Sequence, residues 1–187
     1  LKDASAIGSA WATSEENFLL AKLAKPSAML AAGDGQARTF KSGFTIDADR
    51  NPNRRGASAA GFSDKAARPS FFGAVLLLDL IPGHQPSGTE LAAWEQAGFK
   101  TCLSILPSAF TKTADLVLPV TAFVETEGTY VNSQGQVQWI RPAVKAPGQA
   151  REAWRVLASL LGMAGAGVKA AKVQDIHAML PMATATA

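Results

Sequence analysis

The sequence predicts an α/β fold: a parallel sheet with flanking helices, and a hairpin-like excursion near residues 128–140. Three observations carry this. GAVLLLDL (73–80) and FKTCLSIL (99–106) are continuous apolar runs of strand length, and runs that do not alternate belong to strands covered on both faces. A helix-length segment opening on the capping box Ser87-Gly88-Thr89-Glu90 lies between them. A third run, DLVLPV (115–120), follows after a short polar connection. Strand, helix, strand, loop, strand makes a Rossmann-like parallel unit whose crossover should be right-handed.

The other elements follow in chain order. Thr13-Ser14-Glu15-Glu16 is another capping box, and it opens a helix with Phe18, Leu19, Leu20 and Leu23 on one stripe, stopped by Pro26. Residues 33–70 hold five Gly, two Pro and weak periodicity, so they read as a long irregular segment with a short helix over 55–60. The helix after Ser87 carries Leu91 and Trp94, runs to about Ala97 and stops at Gly98. GTYVN and QVQWI, around Ser133-Gln134-Gly135, read as the two arms of a hairpin. Pro147-Gly148 then precedes a helix with Trp154, Leu157, Leu160 and Leu161 on its apolar side. Residues 1–162 are expected as one partial α/β domain. Residues 163–187 are expected as a flexible tail, with a weak helix near 171–180.

Composition narrows the function. The 187 residues are 48% hydrophobic, but 36 of them are Ala, so the core is modest. A net charge of +3, with no basic stripe interleaved with aromatics, gives no argument for nucleic acid. Cys102 with His84 and His177 cannot hold an iron–sulfur cluster or a structural zinc ion inside this chain, and one cysteine forms no internal disulfide. Its setting in an apolar run makes Cys102 a core residue. The longest apolar stretch, residues 71–81, has 11 residues and contains Asp79, too short to span a bilayer. Opening on Leu1, the sequence reads as a piece of something larger.

No self-contained catalytic set emerges. A dinucleotide grip needs glycines between the first strand and its helix, but Asp79 to Gly88 has two glycines at the wrong spacing and two prolines that cannot donate. His84 lies at the carboxyl end of a buried strand, where such sheets place ligands, but between two prolines it reads as a loop residue. His177 has no assigned role. Glu125 and Glu127 would share one strand face, with nothing beside them to complete an acid–base pair. Arg54 and Arg55, adjacent in NPNRRG, suit a carboxylate, a phosphate or an acidic neighbouring subunit.

Residues 114–160 resemble the molybdopterin oxidoreductase superfamily. The run Ala114 to Pro119, then Glu127-Gly128-Thr129-Tyr130, Asn132, Gly135, Gln138, and Pro147 to Trp154 fill that superfamily's pattern. Within it, the likeness is to the large iron–sulfur subunits of respiratory NADH–quinone oxidoreductase (complex I), in their bacterial form; GSAWATSEENFLLAKLA and NPNRRGASAAG extend it upstream. Gly135-Gln136 stands where cofactor-bearing relatives carry Gly-Arg, and either Glu125 or Glu127 matches the family's carboxylate. Losing that arginine removes a planar cationic fork suited to an anionic pterin.

The resemblance implies a non-catalytic scaffold domain without a cofactor of its own. Iron–sulfur clusters would lie in an amino-terminal part, and molybdopterin is not expected. The implied partners are other peripheral-arm subunits of complex I, with no nucleic acid and no direct membrane insertion. The implied location is the cytoplasmic side of a bacterial inner membrane. Trp94, Trp139 and Trp154 are expected as packing anchors, and Arg54, Arg55 and Arg141 as interface contacts. The alternative is a fragment of a formate dehydrogenase or nitrate reductase, whose loops near 108–115 and 125–138 would line a pterin cavity. Thr113, Asp115, Glu127, Asn132 and Gln138 would then face the pterin.

Overall fold

The computed structural model describes residues 3–63 and 73–181. Five parallel strands form the sheet, in the order β2 (Lys25–Leu30), β1 (Ser5–Ser9), β5 (Ala74–Asp79), β6 (Phe99–Ser104), β7 (Leu116–Pro119). The three expected strands are β5, β6 and β7, paired in register Leu77 to Cys102 and Cys102 to Val117. β1 and β2 are additions to the expected sheet. β1, SAIGS, is too rich in small residues to look apolar, and β2 contains Pro26. Helix α1 (Ser14–Leu23) ends before Pro26, and the proline then sits in an edge strand, where the missing amide costs least.

Alternation through the sheet explains why the central runs are apolar throughout. Leu76, Leu78 and Leu103 face one core with Leu19, Leu20, Trp154 and Leu157 of α1 and α5 (Ala153–Met163). Val75, Leu77 and Cys102 face a second core with Trp94 of α3 (Gly88–Glu95) and Phe110 of α4 (Ala109–Thr113). Burial pushes the Cys102 thiol far up, with the Asp79 charge adding to it, so it stays protonated. Both expected capping boxes form, at Thr13–Glu16 and Ser87–Glu90.

Three segments depart from simple patterning. The long connection holds a two-stranded ribbon, β3 (Arg38–Thr39) with β4 (Thr45–Ile46), before the expected short helix α2 (Arg54–Ala59). The hairpin β8 (Gly128–Val131) with β9 (Val137–Ile140) closes on the Asn132 carboxamide, which accepts the amides of Gln134 and Gln136. The segment expected as a flexible tail packs along part of its length. Helix α6 (Val173–His177) buries Val173 and Ile176, and Leu180 follows them into the core. The weak helix expected near 171–180 is therefore α6, and its i, i+3, i+7 apolar spacing is what packs it against the core. Residues 64–72 and 182–187, part of the irregular segment and the end of the tail, lie outside the described residues.

Candidate functional site

In a sheet of this order the winding reverses between β1 and β5, and such folds place ligands there, beyond the strands' carboxyl ends. The turn from β1 to α1 is where a phosphate would meet free amides. None of the turn's four amides is free. Ala10 donates to the Leu30 carbonyl, Trp11 to Ser9 Oγ, Ala12 to the Ser9 carbonyl, and Thr13 to Glu16 Oε2.

A buried polar network fills the space beside it. Glu15 is fully buried; its Oε2 accepts the Thr129 amide and its Oε1 the Thr129 hydroxyl, each at 2.8 Å. His177 Nδ1 lies 2.8 Å from the same Oε1, and its ring packs 4.8 Å from that of Trp139. Asn53, also fully buried, donates to the Ala12 carbonyl at 2.8 Å and accepts the Val131 amide at 2.7 Å. Ser14 donates to the Thr129 carbonyl at 3.1 Å, and the Tyr130 hydroxyl to the Trp11 carbonyl at 3.1 Å. Burial pushes Glu16 up to about 7 against the opposing hydrogen bonds from Thr13, with the charges of Glu15 and Glu152 adding to the rise. Burial, then the Glu16 charge, also raises the Tyr130 phenol.

Outside this network lies a cleft of about 530 Å³, floored by Trp11, Phe123 and Tyr130 and rimmed by Arg50, Asn132 and Gln138. Trp11 and Phe123 meet edge to face at 5.8 Å. The Trp11 indole N–H is buried without an acceptor among the described residues. A second, smaller pocket of about 80 Å³ lies at the carboxyl ends of β5 and β6. There Asp79 Oδ2 accepts the Ser108 hydroxyl at 2.5 Å and the Ser104 hydroxyl at 3.3 Å. Burial raises the Asp79 carboxyl, and the two serines and the nearby His84 hold part of that rise back. His84 packs over Phe110 with its Nε2 3.9 Å from Glu90 Oε1.

The five residues expected to face a pterin do not converge. Asn132 and Gln138 line the Trp11 cleft. Thr113 accepts the Trp94 indole N–H at 3.0 Å, and Asp115 pairs with Lys100 at 3.2 Å, both at the opposite, amino end of β7. Glu127 is half-buried just before β8. Glu125 closes its own turn by accepting the Ala122 amide at 2.9 Å. The five therefore do not form one set within this chain: Thr113 and Asp115 stand before β7, Asn132 and Gln138 at the hairpin beside the Trp11 cleft, and the cation on that cleft, Arg50, is not one of them. Of the arginines expected at an interface, Arg54 is turned inward between Asp34, at 2.6 Å, and Asp49, at 3.1 Å. Arg55 and Arg141 are exposed. Trp94 and Trp154 are buried, whereas Trp139 is 45% exposed. No cluster of His, Cys, Asp or Glu with metal-holding geometry occurs among the described residues, and no helix among them is long and apolar enough to cross a membrane.

Sequence reasoning missed Glu15, Asn53, Thr129 and His177 as one group. Glu15 read as part of a cap, Asn53 as part of a loop and His177 as tail. The available signal was the density of polar residues in TSEEN beside an apolar helix stripe.

The class this defines is a parallel α/β domain of nucleotide-fold geometry whose turn amides after β1 are bonded within the chain. The chain belongs to the molybdopterin oxidoreductase family, whose model matches residues 11–163. It is 32% identical over 131 residues to the G subunit of the NADH-quinone oxidoreductase of Streptomyces coelicolor, covering 70% of this chain and 15% of that protein. It is 49% identical over 47 residues to the mitochondrial 78 kDa NADH-ubiquinone oxidoreductase subunit of Candida albicans, 25% of this chain and 6% of that one. The alpha subunit of the F420-dependent formate dehydrogenase of Methanocaldococcus jannaschii is 43% identical over 67 residues, 35% of this chain and 10% of that one. The chain thus spans a small part of the length of each.

Proposed function

We propose that this chain is a structural, non-catalytic domain of a large iron–sulfur subunit of NADH–quinone oxidoreductase. In that reading it supports electron transfer from NADH to quinone within the assembled complex. It packs against other peripheral subunits, on the cytoplasmic side of a bacterial inner membrane, and carries no molybdopterin. One observation carries the reading. Beside the turn after β1, Glu15, Asn53 and Thr129 are buried and hydrogen-bonded within the chain, and the amides of residues 10–13 are all used. An anionic cofactor seated there would have to displace the chain's own hydrogen bonds and approach the buried Glu15 carboxylate. The similarity to the Streptomyces coelicolor NADH-quinone oxidoreductase protein over 70% of the chain agrees with it.

A second reading rests on the Trp11 cleft, where Asn132 and Gln138 do meet. There the cleft would be one wall of a pterin cavity, completed by other parts of a longer polypeptide. The two readings separate on the metal and pterin content of the intact full-length protein. Elemental analysis for iron and molybdenum is paired with fluorescence of oxidised pterin after denaturation. Iron without molybdenum or pterin supports the scaffold. Stoichiometric molybdenum and pterin refute it and favour the second reading.

A further inference from the structure

We propose that the β3–β4 ribbon is a preorganised docking arm, which inserts Phe40 and Phe44 into an apolar slot on an acidic protein surface. Residues 33–45 are exposed throughout, yet the segment is held firmly at its base. Asn51 exchanges two hydrogen bonds with the backbone of Ala32, and Gly35 donates to the Ala48 carbonyl at 2.8 Å. Arg54 clamps Asp34 and Asp49, and Ser133 of the neighbouring hairpin donates to Asp47 at 2.5 Å. Hydrogen bonds to Asp49 from Asn51, together with Arg54, hold its carboxyl below the usual range although burial opposes this.

The tip is built around a tight turn. Phe40 donates its amide to the Phe44 carbonyl, Gly43 donates back to Phe40, and Gly43 has a φ of 84° that only glycine adopts without strain. The turn displays Phe44 at 63% exposure and Phe40 at 37%, with ring centroids 6.0 Å apart and Arg38 4.7 Å over the Phe40 ring. Leaving two such rings in water forfeits burial that a folded core would otherwise gain.

Charge selects the partner. Between residues 37 and 46 the charged residues are Arg38 and Lys41, both cationic, and the nearest acids, Asp34 and Asp47, are engaged at the base. A cationic, aromatic tip is complementary to an acidic surface with an apolar pocket, and Phe and Arg anchors dominate such interfaces. Two cations and one ring pair are a weak membrane anchor, since stable anchoring takes a larger polybasic or acyl contribution. The rigid base also lowers the entropy lost on docking, which benefits a shaped protein pocket more than a fluid lipid surface. This inference goes beyond the scaffold reading and holds whether or not a pterin is bound.

The test places a photocrosslinking p-benzoylphenylalanine at Phe44 in the full-length protein in its own cells, with Gln134 on the other hairpin's tip as the control position. Cross-linked peptides are mapped by mass spectrometry. The expected result is one protein partner, joined at a stretch where Asp or Glu flanks apolar residues. The yield should fall at least about tenfold in the Arg38→Glu/Lys41→Glu double variant, as for loss of an interface anchor, and fall with added salt in the unaltered protein. An unchanged melting temperature in the double variant shows that folding is not the cause. Adducts to lipid, adducts to a second copy of this chain, a yield equal to the Gln134 control, or insensitivity to both salt and charge reversal would each overturn the proposal.

Discussion

Replacing Asn53 by Ala tests whether the network at the end of β1 holds the domain together. The side chain makes two strong contacts with backbone groups that water does not reach: donation to the Ala12 carbonyl and acceptance of the Val131 amide. Alanine leaves both unpaired, at about 1–2 kcal/mol each, and the emptied space adds about 1 kcal/mol, for a total of about 3–5 kcal/mol. Ser14 retains its bond to the Thr129 carbonyl, so its hydroxyl adds little to that sum. Domains of this size are stable by about 5–15 kcal/mol, so the loss is a large share of the total. Urea unfolding followed by tryptophan fluorescence reads it through buried Trp94 and Trp154. With a slope of about 2 kcal/mol/M the midpoint should fall by roughly 1.5–2.5 M. The exposed Gln134→Ala control should move it by less than about 0.3 M. An Asn53→Ala midpoint within that control range would show that water substitutes for the carboxamide and that the network does not hold the domain together.

Three other perturbations act on the same network and its surroundings. Glu16, raised to about 7 by burial, keeps its proton in the folded state after the unfolded chain has lost it near 4.5. Stability therefore falls as pH rises between those values, by about 3 kcal/mol; Glu16→Gln should flatten that slope in urea titrations, and an unaltered slope would refute the assignment. Gly56→Ala in α2 would ordinarily gain about 1 kcal/mol of helix propensity. Here a methyl would meet the Asn53 carboxamide oxygen and the Ser14 hydroxyl, so the melting temperature should drop instead. Arg54→Ala should loosen the loop from residue 34 to residue 49, read as faster amide hydrogen exchange at Gly35 and Asn51, whereas exposed Arg55→Ala should leave exchange there unchanged.

The parts of the fold that patterning revealed are those whose energetics are local or uniform. GAVLLLDL and FKTCLSIL announced themselves because both faces of β5 and β6 are buried, and the caps because Thr13 and Ser87 satisfy helix amides within three residues. β1 stayed hidden because Ala6 and Gly8 are small by necessity. A Cβ on Gly8 would stand 2.7 Å from both the Asn17 carboxamide and the Phe62 ring. The ribbon β3–β4 stayed hidden because two residues a side carry no period. Helix α6 was legible only as a weak helix in a tail, because Gly and Ala around it hid the burial of Val173 and Ile176 that fixes its position.

The site was legible only as pieces, since what joins it is long-range. Thr129 is 114 residues from Glu15, and His177 is 162 residues from it, so no spacing rule connects them. The structure gives the GTYVN segment a physical role. Thr129 satisfies a buried carboxylate, and Tyr130 pins the Trp11 carbonyl. Asn132 closes the turn, and a side chain at Gly128 would strike Thr13 and Glu15. Every one of those contacts lies inside this chain and involves the hairpin's own residues or the start of α1. A motif that from sequence could equally have been the wall of a pterin cavity is, in this geometry, the lock between a hairpin and the first helix of the sheet. The negative charge sealed beneath that lock sits at a helix N-terminus, where the dipole favours it and the Thr129 donors satisfy it. An anion at the Thr129 donors would have to displace Glu15, so the same hydrogen bonds that lock the hairpin to α1 already satisfy those donors.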